Sequence, residues 1–215
     1  MAADIDICNL ALSHLGDDAT VASIDPPEGS PQATHCARFY PVARDSMQEM
    51  HNWGFCTTRA TLSLLSATPL SGWVYAYAQP SDAVNLLSIL IPGSTDDFNP
   101  QPFETEALPD GTSVIYSNTE SAILRYTRHV TDPSKFSPLF TDALGWLLAS
   151  MLAGPILKGT TGAAATVQAY KMFQVQFAKA AASDAGQRRV IPQDNPSWLK
   201  GRGSVPINLL PGWPR

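Results

Sequence analysis

The fold of this chain is decided by residues 137–159, which read SPLFTDALGWLLASMLAGPILKG. Ser137 is a residue type that caps helix N-termini, and Pro138 fits the first helical position. From Phe140 onward, apolar residues recur every three or four positions, which is the period of one helix face. These residues are Phe140, Leu144, Leu147, Leu148, Met151 and Leu152. The stretch therefore predicts a long apolar helix that ends at Lys158 and Gly159 and packs against other apolar faces.

Two more helices are predicted before this stretch. The first covers residues 4–15, with acidic residues at its start and Gly16 after its end, as helix termini favour. The second covers residues 30–53 and again opens with a serine followed by a proline. Because proline has no backbone N–H to donate, we expect Pro41 to kink or split the second helix.

A fourth helix is predicted at residues 162–185. Its apolar face is expected to carry Tyr170, Phe173, Phe177 and Ala180. The preceding residues 159–162, GTTG, lack the lysine of a phosphate-binding loop. We therefore interpret them as a short connection between two helices.

The pattern changes between the second and third helices. Residues 73–78 alternate with period two, and the apolar run 84–91 ends at a Pro-Gly pair, so both indicate strands. Residues 113–116 and 122–128 are predicted to form a hairpin, and residues 94–109 an acidic loop.

The predicted fold class is mainly α with a β insertion, that is, α+β. Four helices with one apolar face each can bury those faces against each other, which gives a four-helix bundle. Residues 1–56 supply its first two helices and residues 133–185 its last two. Residues 57–132 form a small antiparallel β region at one end, and residues 186–215 form an extended C-terminal arm.

The C-terminal arm, residues 186–215, differs in charge from the rest of the chain. It carries five Lys or Arg and one Asp, whereas residues 1–185 carry nine Lys or Arg and eighteen Asp or Glu. Its basic and apolar residues predict a segment that docks into a groove on another subunit, with folding back over its own helices as the alternative. The residues expected to bind are Arg188, Arg189, Ile191, Trp198, Leu199, Lys200, Arg202, Ile207, Leu209, Leu210 and Trp213.

Composition and motifs argue against several classes of protein. The net charge is −5, which does not fit a broadly basic nucleic-acid-binding protein. Charged residues make up only 15%, against about 25% on average, which is consistent with a surface partly covered by other subunits. The N-terminus lacks the basic residues of a signal peptide, and the longest apolar run is shorter than a membrane span. We expect no secretion signal and no membrane segment.

The search for catalytic and metal-binding patterns predicts neither. No nucleotide-binding, nucleophile-elbow or zinc-protease motif is present in the sequence. Cys8, Cys36 and Cys56 are spaced unlike zinc ligands, and we expect them to be reduced thiols in the core. Arg44 and Asp45 lie in the middle of the second predicted helix, and Arg59 and Arg125 accompany apolar runs in the β region. We expect buried or half-buried Arg–carboxylate pairs that lock the helices to the sheet, with pairs between subunits as the alternative. The prediction is a protein that is not an enzyme, with no catalytic residue, cofactor or metal.

An ordered series of motifs resembles the bacteriophage head-to-tail adaptor family, that is, tail tubular protein A-like proteins of short-tailed phages. The first motif is Ile7-Cys8-Asn9-x-Ala11-Leu12-x-x-Leu15-Gly16. The second is Ala33-x-x-Cys36-x-x-x-Tyr40-x-x-x-Arg44-Asp45, followed by His51-x-Trp53-x-Phe55-x-x-x-Arg59-x-x-Leu62. The third is Trp73-x-Tyr75-x-Tyr77-x-x-Pro80-x-Asp82, and Arg125-Tyr126, Asp132, Phe136 and the helix at 140–152 follow in order.

The resemblance implies a structural virion protein that is made in the host cytoplasm. Its subunits would form a ring, typically a dodecamer, that joins the portal protein to the tail nozzle protein. Phage DNA would pass through the central channel during genome retention and ejection, without sequence-specific binding. The C-terminal arm would reach the portal.

Two other functions are compatible with the sequence. One is a head-completion or neck protein of a phage with another tail type. The other is a small tail-associated hydrolase, for which the sequence offers no catalytic spacing.

Overall fold

The computed structural model describes residues 3–66, 69, 72–93 and 99–187. Within these ranges the fold is mixed α+β, with four α-helices and six β-strands. The helices are α1 (Asp4–His14), α2 (Pro31–Glu49), α3 (Pro138–Leu157) and α4 (Gly159–Gln187). Short 3-10 helices lie at Gly54–Cys56 and Pro133–Lys135.

Helix α3 is the centre of the helical part and packs against α1, α2 and α4. The Ser137 hydroxyl oxygen accepts a hydrogen bond from the backbone N–H of Phe140 at 3.3 Å, so the predicted cap is confirmed. Buried residues of α3 include Ala143 and Ala149 as well as the predicted apolar face except Met151, which is half-buried. Helices surround α3 on several sides. By length and composition α3 passes as a membrane span, yet 56% of the apolar window that passes is buried within the fold.

Helix α2 ends earlier than predicted, and one of the two effects expected of Pro41 does not occur. The helix runs without interruption through Pro41, so of a kink or a split the split is absent from this helix. Proline has no N–H to bond the backbone carbonyl four residues earlier. Pro41 is exposed, so water can solvate that carbonyl instead. The helix ends at Glu49 instead of residue 53, because the chain turns back to bury Trp53. The Trp53 indole N–H then donates to the Met47 carbonyl at 2.8 Å.

Helix α4 begins earlier than predicted and buries most of the predicted face. Lys158 alone separates it from α3, and residues 159–162 are its first turn, so the predicted connection there is wrong. Lys158 and Gly159 both have positive φ, at 56° and 55°, which turns the chain within two residues. Phe173 and Ala180 are buried and Phe177 is partly buried against the helical core, as predicted, but Tyr170 is exposed. The helix packs mainly on α3.

The six strands form two antiparallel sheets of three strands each within the described residues. The strands are β1 (Thr57–Thr61), β2 (Tyr75–Ala78), β3 (Ala83–Leu90), β4 (Phe103–Ala107), β5 (Ser113–Ser117) and β6 (Ile123–Arg128). The first sheet has the order β1-β6-β3 and the second the order β2-β5-β4. An isolated bridge between Ile89 and Gln101 ties β3 to the residues before β4.

Two predictions for the β region are wrong. Strands β5 and β6 do not form a hairpin, because β5 pairs with β2 and β4 while β6 pairs with β1 and β3. The predicted acidic loop contains strand β4, whose Glu104 and Glu106 are exposed. Strand β4 pairs with its neighbour β5 across residues 108–112, whereas β5 with β2 and β6 with β1 and β3 pair over long sequence distances, which a local pattern does not reveal.

The described residues have separate helical and sheet cores. One apolar cluster contains residues from all four helices, including Leu12, Met47, Leu148 and Phe173. Another contains residues from both sheets, including Tyr77, Ile89 and Leu124. Gly186 and Gln187 of the predicted C-terminal arm belong to α4, and residues 188–215 lie outside the described residues.

Candidate functional site

The residues that carry the family resemblance lie mostly in the helical core. Ile7, Cys8, Cys36 and Tyr40 are buried, on α1 and α2. Trp53 is also buried, and its ring meets Phe140 edge-on with centroids 4.9 Å apart. Burial raises the pKa of the Tyr40 hydroxyl far above its ordinary value. These residues therefore support the packing of the helices, and binding surfaces have to be sought among other residues.

A polar cluster joins the outside of α2 to the residue after β6. The Arg44 Nε donates to Asp45 Oδ1 at 2.8 Å, and His129 Nε2 lies 2.7 Å from the same oxygen. Partial burial alone would raise the pKa of Asp45, but the bonds from Arg44 and His129 outweigh it and leave the pKa below its ordinary value. His129 thus links α2 to the chain after β6, whereas the Arg44–Asp45 pair lies within α2 itself. The expected Arg–carboxylate pairs between helix and sheet stay a prediction.

An open groove lies beside this cluster, between α2 and the turn that leads into β3. Its volume is about 730 Å³. We call it the acidic groove, and its lining includes Val42, Asp45, Glu49, Asp82, Val84 and His129. Among the lining side chains, all in the described part of the chain, three are carboxylates and none is a lysine or arginine. The groove thus combines negative charge with exposed apolar surface.

The buried side of α2 binds the beginning of the segment that connects the β region to α3. Gln48 is fully buried, and its side-chain amide bonds both the N–H and the carbonyl of one backbone residue. Its Nε2 donates to the Val130 carbonyl at 2.7 Å, and its Oε1 accepts from the Val130 N–H at 2.9 Å. The sequence analysis did not identify Gln48 as a structural residue. The only sequence signal for this role is its position next to Met47, which lies on the apolar face of α2.

Asp184 connects the last part of α4 to the chain just after α2. Its Oδ1 accepts from the backbone N–H of Gly54 at 2.8 Å, and its Oδ2 lies 3.2 Å from His51 Nε2. The side chain is only 13% exposed. The end of α4 is therefore fixed beside residues 51–54, two residues beyond the Glu49 wall of the acidic groove.

A second and smaller cavity of about 260 Å³ lies between α1, α3 and α4. His14 and Trp146 line it, with their rings stacked at a centroid distance of 3.8 Å. Burial lowers the pKa of His14, and the charge of Asp142, 4.0 Å away, opposes the shift. The remaining lining residues are largely apolar, so we interpret this cavity as a gap between packed helices and not as a catalytic site.

The outer side of α4 carries large apolar side chains in contact with solvent. Val167, Tyr170 and Val175 are 55%, 45% and 49% exposed. At about 100° per residue, Val167 lies about 80° from Val175 and about 60° from Tyr170 around the helix axis. Tyr170 is at the edge of this surface, beside the buried Phe173, whose ring centroid is 5.6 Å away. We call this surface the α4 outer face. Exposed apolar side chains grouped on one long helix make it a candidate subunit contact.

The cysteines and acidic side chains supply no metal site within the described ranges. Cys8, Cys36 and Cys56 are free thiols and are buried, as expected from the sequence. Burial raises the pKa of Cys56 to about 12, so its thiol stays protonated at neutral pH. No group of three His, Cys, Asp or Glu residues with metal-binding geometry occurs in the part of the chain that the structure describes.

All eleven residues predicted to bind the portal lie outside the described residues, since they fall between 188 and 213. The structure instead draws attention to the acidic groove and the α4 outer face, neither of which the sequence analysis identified. Compared with known proteins, the chain matches no protein-family model and no curated protein sequence.

Proposed function

We propose that this protein is a structural virion subunit that forms a head-to-tail adaptor ring. The ring joins the portal protein to the tail nozzle protein, and its lumen is part of the channel through which phage DNA is retained and ejected. In this proposal the four helices act as a bundle that carries the small β region. The C-terminal arm extends from α4 and binds the portal.

The observation that carries the proposal is the α4 outer face. At about 1.5 Å per residue, a helix of 29 residues is about 43 Å long. Burying exposed valine and tyrosine side chains stabilises association by about 25 cal/mol per Å² of apolar area. A neighbouring copy that covers this face would turn an unfavourable exposed surface into an interface. The low charge content of the chain agrees with such coverage.

The family resemblance supports the same proposal through the fold. Several of its motif residues on α1 and α2 lie in the buried cluster that also contains α3. The partners are inferred from the surfaces that this cluster leaves open.

The charge distribution suits a channel for DNA. Residues 1–185 carry twice as many acidic as basic side chains, so a lumen formed by them repels phosphate and limits sticking of the DNA. The basic arm has the opposite charge and is suited to a different surface. A channel lined by lysine and arginine would contradict this part of the proposal.

The first experiment measures the mass of the full-length protein alone and after mixing with the portal ring of the same phage. We expect a large ring complex in the mixture. Removal of residues 186–215 is expected to leave the helices folded and to abolish portal binding. A protein that ignores the portal, or a truncated protein that still binds it, would refute the adaptor proposal.

A second experiment tests the α4 outer face. The double substitution Val167→Asp and Tyr170→Asp places two charges on the apolar side and is expected to lower the ring fraction at least tenfold. Val74→Asp is the matched control, because Val74 is 61% exposed and lies in the β region. Equal ring formation by both variants would show that α4 is not the subunit contact.

A further inference from the structure

We propose that the acidic groove binds the basic first half of the C-terminal arm, residues 188–202 of the same chain. This inference does not depend on the portal or on ring formation, because it concerns the free subunit. It adds to the proposed function an intramolecular docking site that holds this half of the arm before the arm binds the portal.

Charge complementarity is the first argument. Asp45 is already bonded to Arg44 and His129. Asp82 Oδ1 accepts a hydrogen bond from the neutral Tyr126 hydroxyl at 3.1 Å, which leaves the negative charge of Asp82 in place, and the exposed Glu49 adds a second one. Within residues 188–202 the sequence carries four basic side chains and one acidic one. The basic residues are Arg188, Arg189, Lys200 and Arg202. Arginine binds carboxylates with two parallel hydrogen bonds, so this match is specific as well as attractive.

The apolar part of the groove matches the same segment. Val42 is 54% exposed on the α2 wall, beside Asp45 and Glu49. Trp198 and Leu199 directly precede Lys200 in the arm. If Trp198 packs against Val42, apolar surface of both is removed from water, and the neighbouring Lys200 can reach a carboxylate.

The position where α4 ends is the third argument. Asp184 holds the end of α4 against His51 and Gly54, and Glu49 lies only two residues before His51. Extended chain spans about 3.3 Å per residue, so residues 188–202 reach about 50 Å. The arm therefore starts beside the groove, and this tether raises its effective concentration there into the millimolar range.

The test uses the full-length protein and trypsin, which cleaves after the four basic residues of the arm. The groove variant is Glu49→Gln with Asp82→Asn, which removes two charges and creates no new cleavage site. The control variant is Asp18→Asn with Glu120→Gln, two exposed carboxylates outside the groove lining. We expect cleavage after Arg189 and Lys200, followed by mass spectrometry, to be at least fivefold faster in the groove variant. The control should stay within twofold of the parent protein.

A reciprocal variant keeps the test valid if the groove variant folds poorly. Arg188→Gln with Arg189→Gln changes only the arm and should speed cleavage after Lys200 by a similar factor. Combining it with the groove variant should add nothing further. Equal cleavage in the parent, groove and arm variants would overturn the proposal. Cleavage that accelerates on tenfold dilution would overturn it too, because the occupied groove would then belong to a second copy.

Discussion

Replacing Gln48 by methionine tests how α2 holds the connection between the β region and α3. Methionine has nearly the same length and volume, but it has no amide to bond the backbone of Val130. The substitution leaves a buried N–H and a buried carbonyl without their partners, which now lie at 2.9 and 2.7 Å. Each such group costs about 1–3 kcal/mol, and the apolar replacement recovers about 1 kcal/mol. The expected net loss of unfolding free energy is about 3 kcal/mol.

The assay is urea unfolding followed by circular dichroism, with the unfolding free energy of each variant compared at one temperature. Gln174→Leu is the control, because Gln174 is exposed on α4 and its replacement should change stability by less than about 0.5 kcal/mol. Native-state hydrogen exchange adds a local readout, since the Val130 amide should lose protection in Gln48→Met. A loss below about 1 kcal/mol with an unchanged Val130 exchange rate would show that this pair does not hold the connection.

Three further changes test other contacts. Gly162→Ala should lower the unfolding free energy by about 1–3 kcal/mol, because the new Cβ would lie 3.0 Å from the Ala153 carbonyl oxygen. Gly186→Ala is the control and should not destabilise the fold, because the space around Gly186 is open. Equal losses in the two variants would contradict the close approach at Gly162. Asp45→Asn should destabilise at pH 7, where the lowered pKa of Asp45 stabilises the fold. The difference from the parent should shrink as a pH titration of stability falls below about 4, the ordinary aspartate value. Asp184→Ala should cost about 1–3 kcal/mol in urea unfolding by leaving the Gly54 N–H without its bond, and should speed exchange of that amide.

The sequence alone located all four helices, and it located the starts of α2 and α3 to within a residue. At both starts a serine caps the helix and a proline occupies the first position, so the signal is contained in neighbouring residues. The apolar period of α3 also predicted that it packs against other apolar faces, and the structure shows that these belong to three helices. The buried state of Cys8 and Cys36 followed from the same period.

Tertiary structure alone decided the pairing of strands, the exposure of Tyr170 on α4 and the place of the acidic groove. Strand β5 follows β4 as a neighbour but β6 crosses to the other sheet, because the pairing is set by hydrogen bonds between distant segments. Gln48 finds its partner 82 residues away, and no local period encodes such a bond. The groove likewise needs α2 and the turn before β3 to meet. Helix starts and apolar periods depend on residues that are close in sequence, so the sequence predicts them. Binding surfaces form only where helices and strands that are distant in sequence pack together.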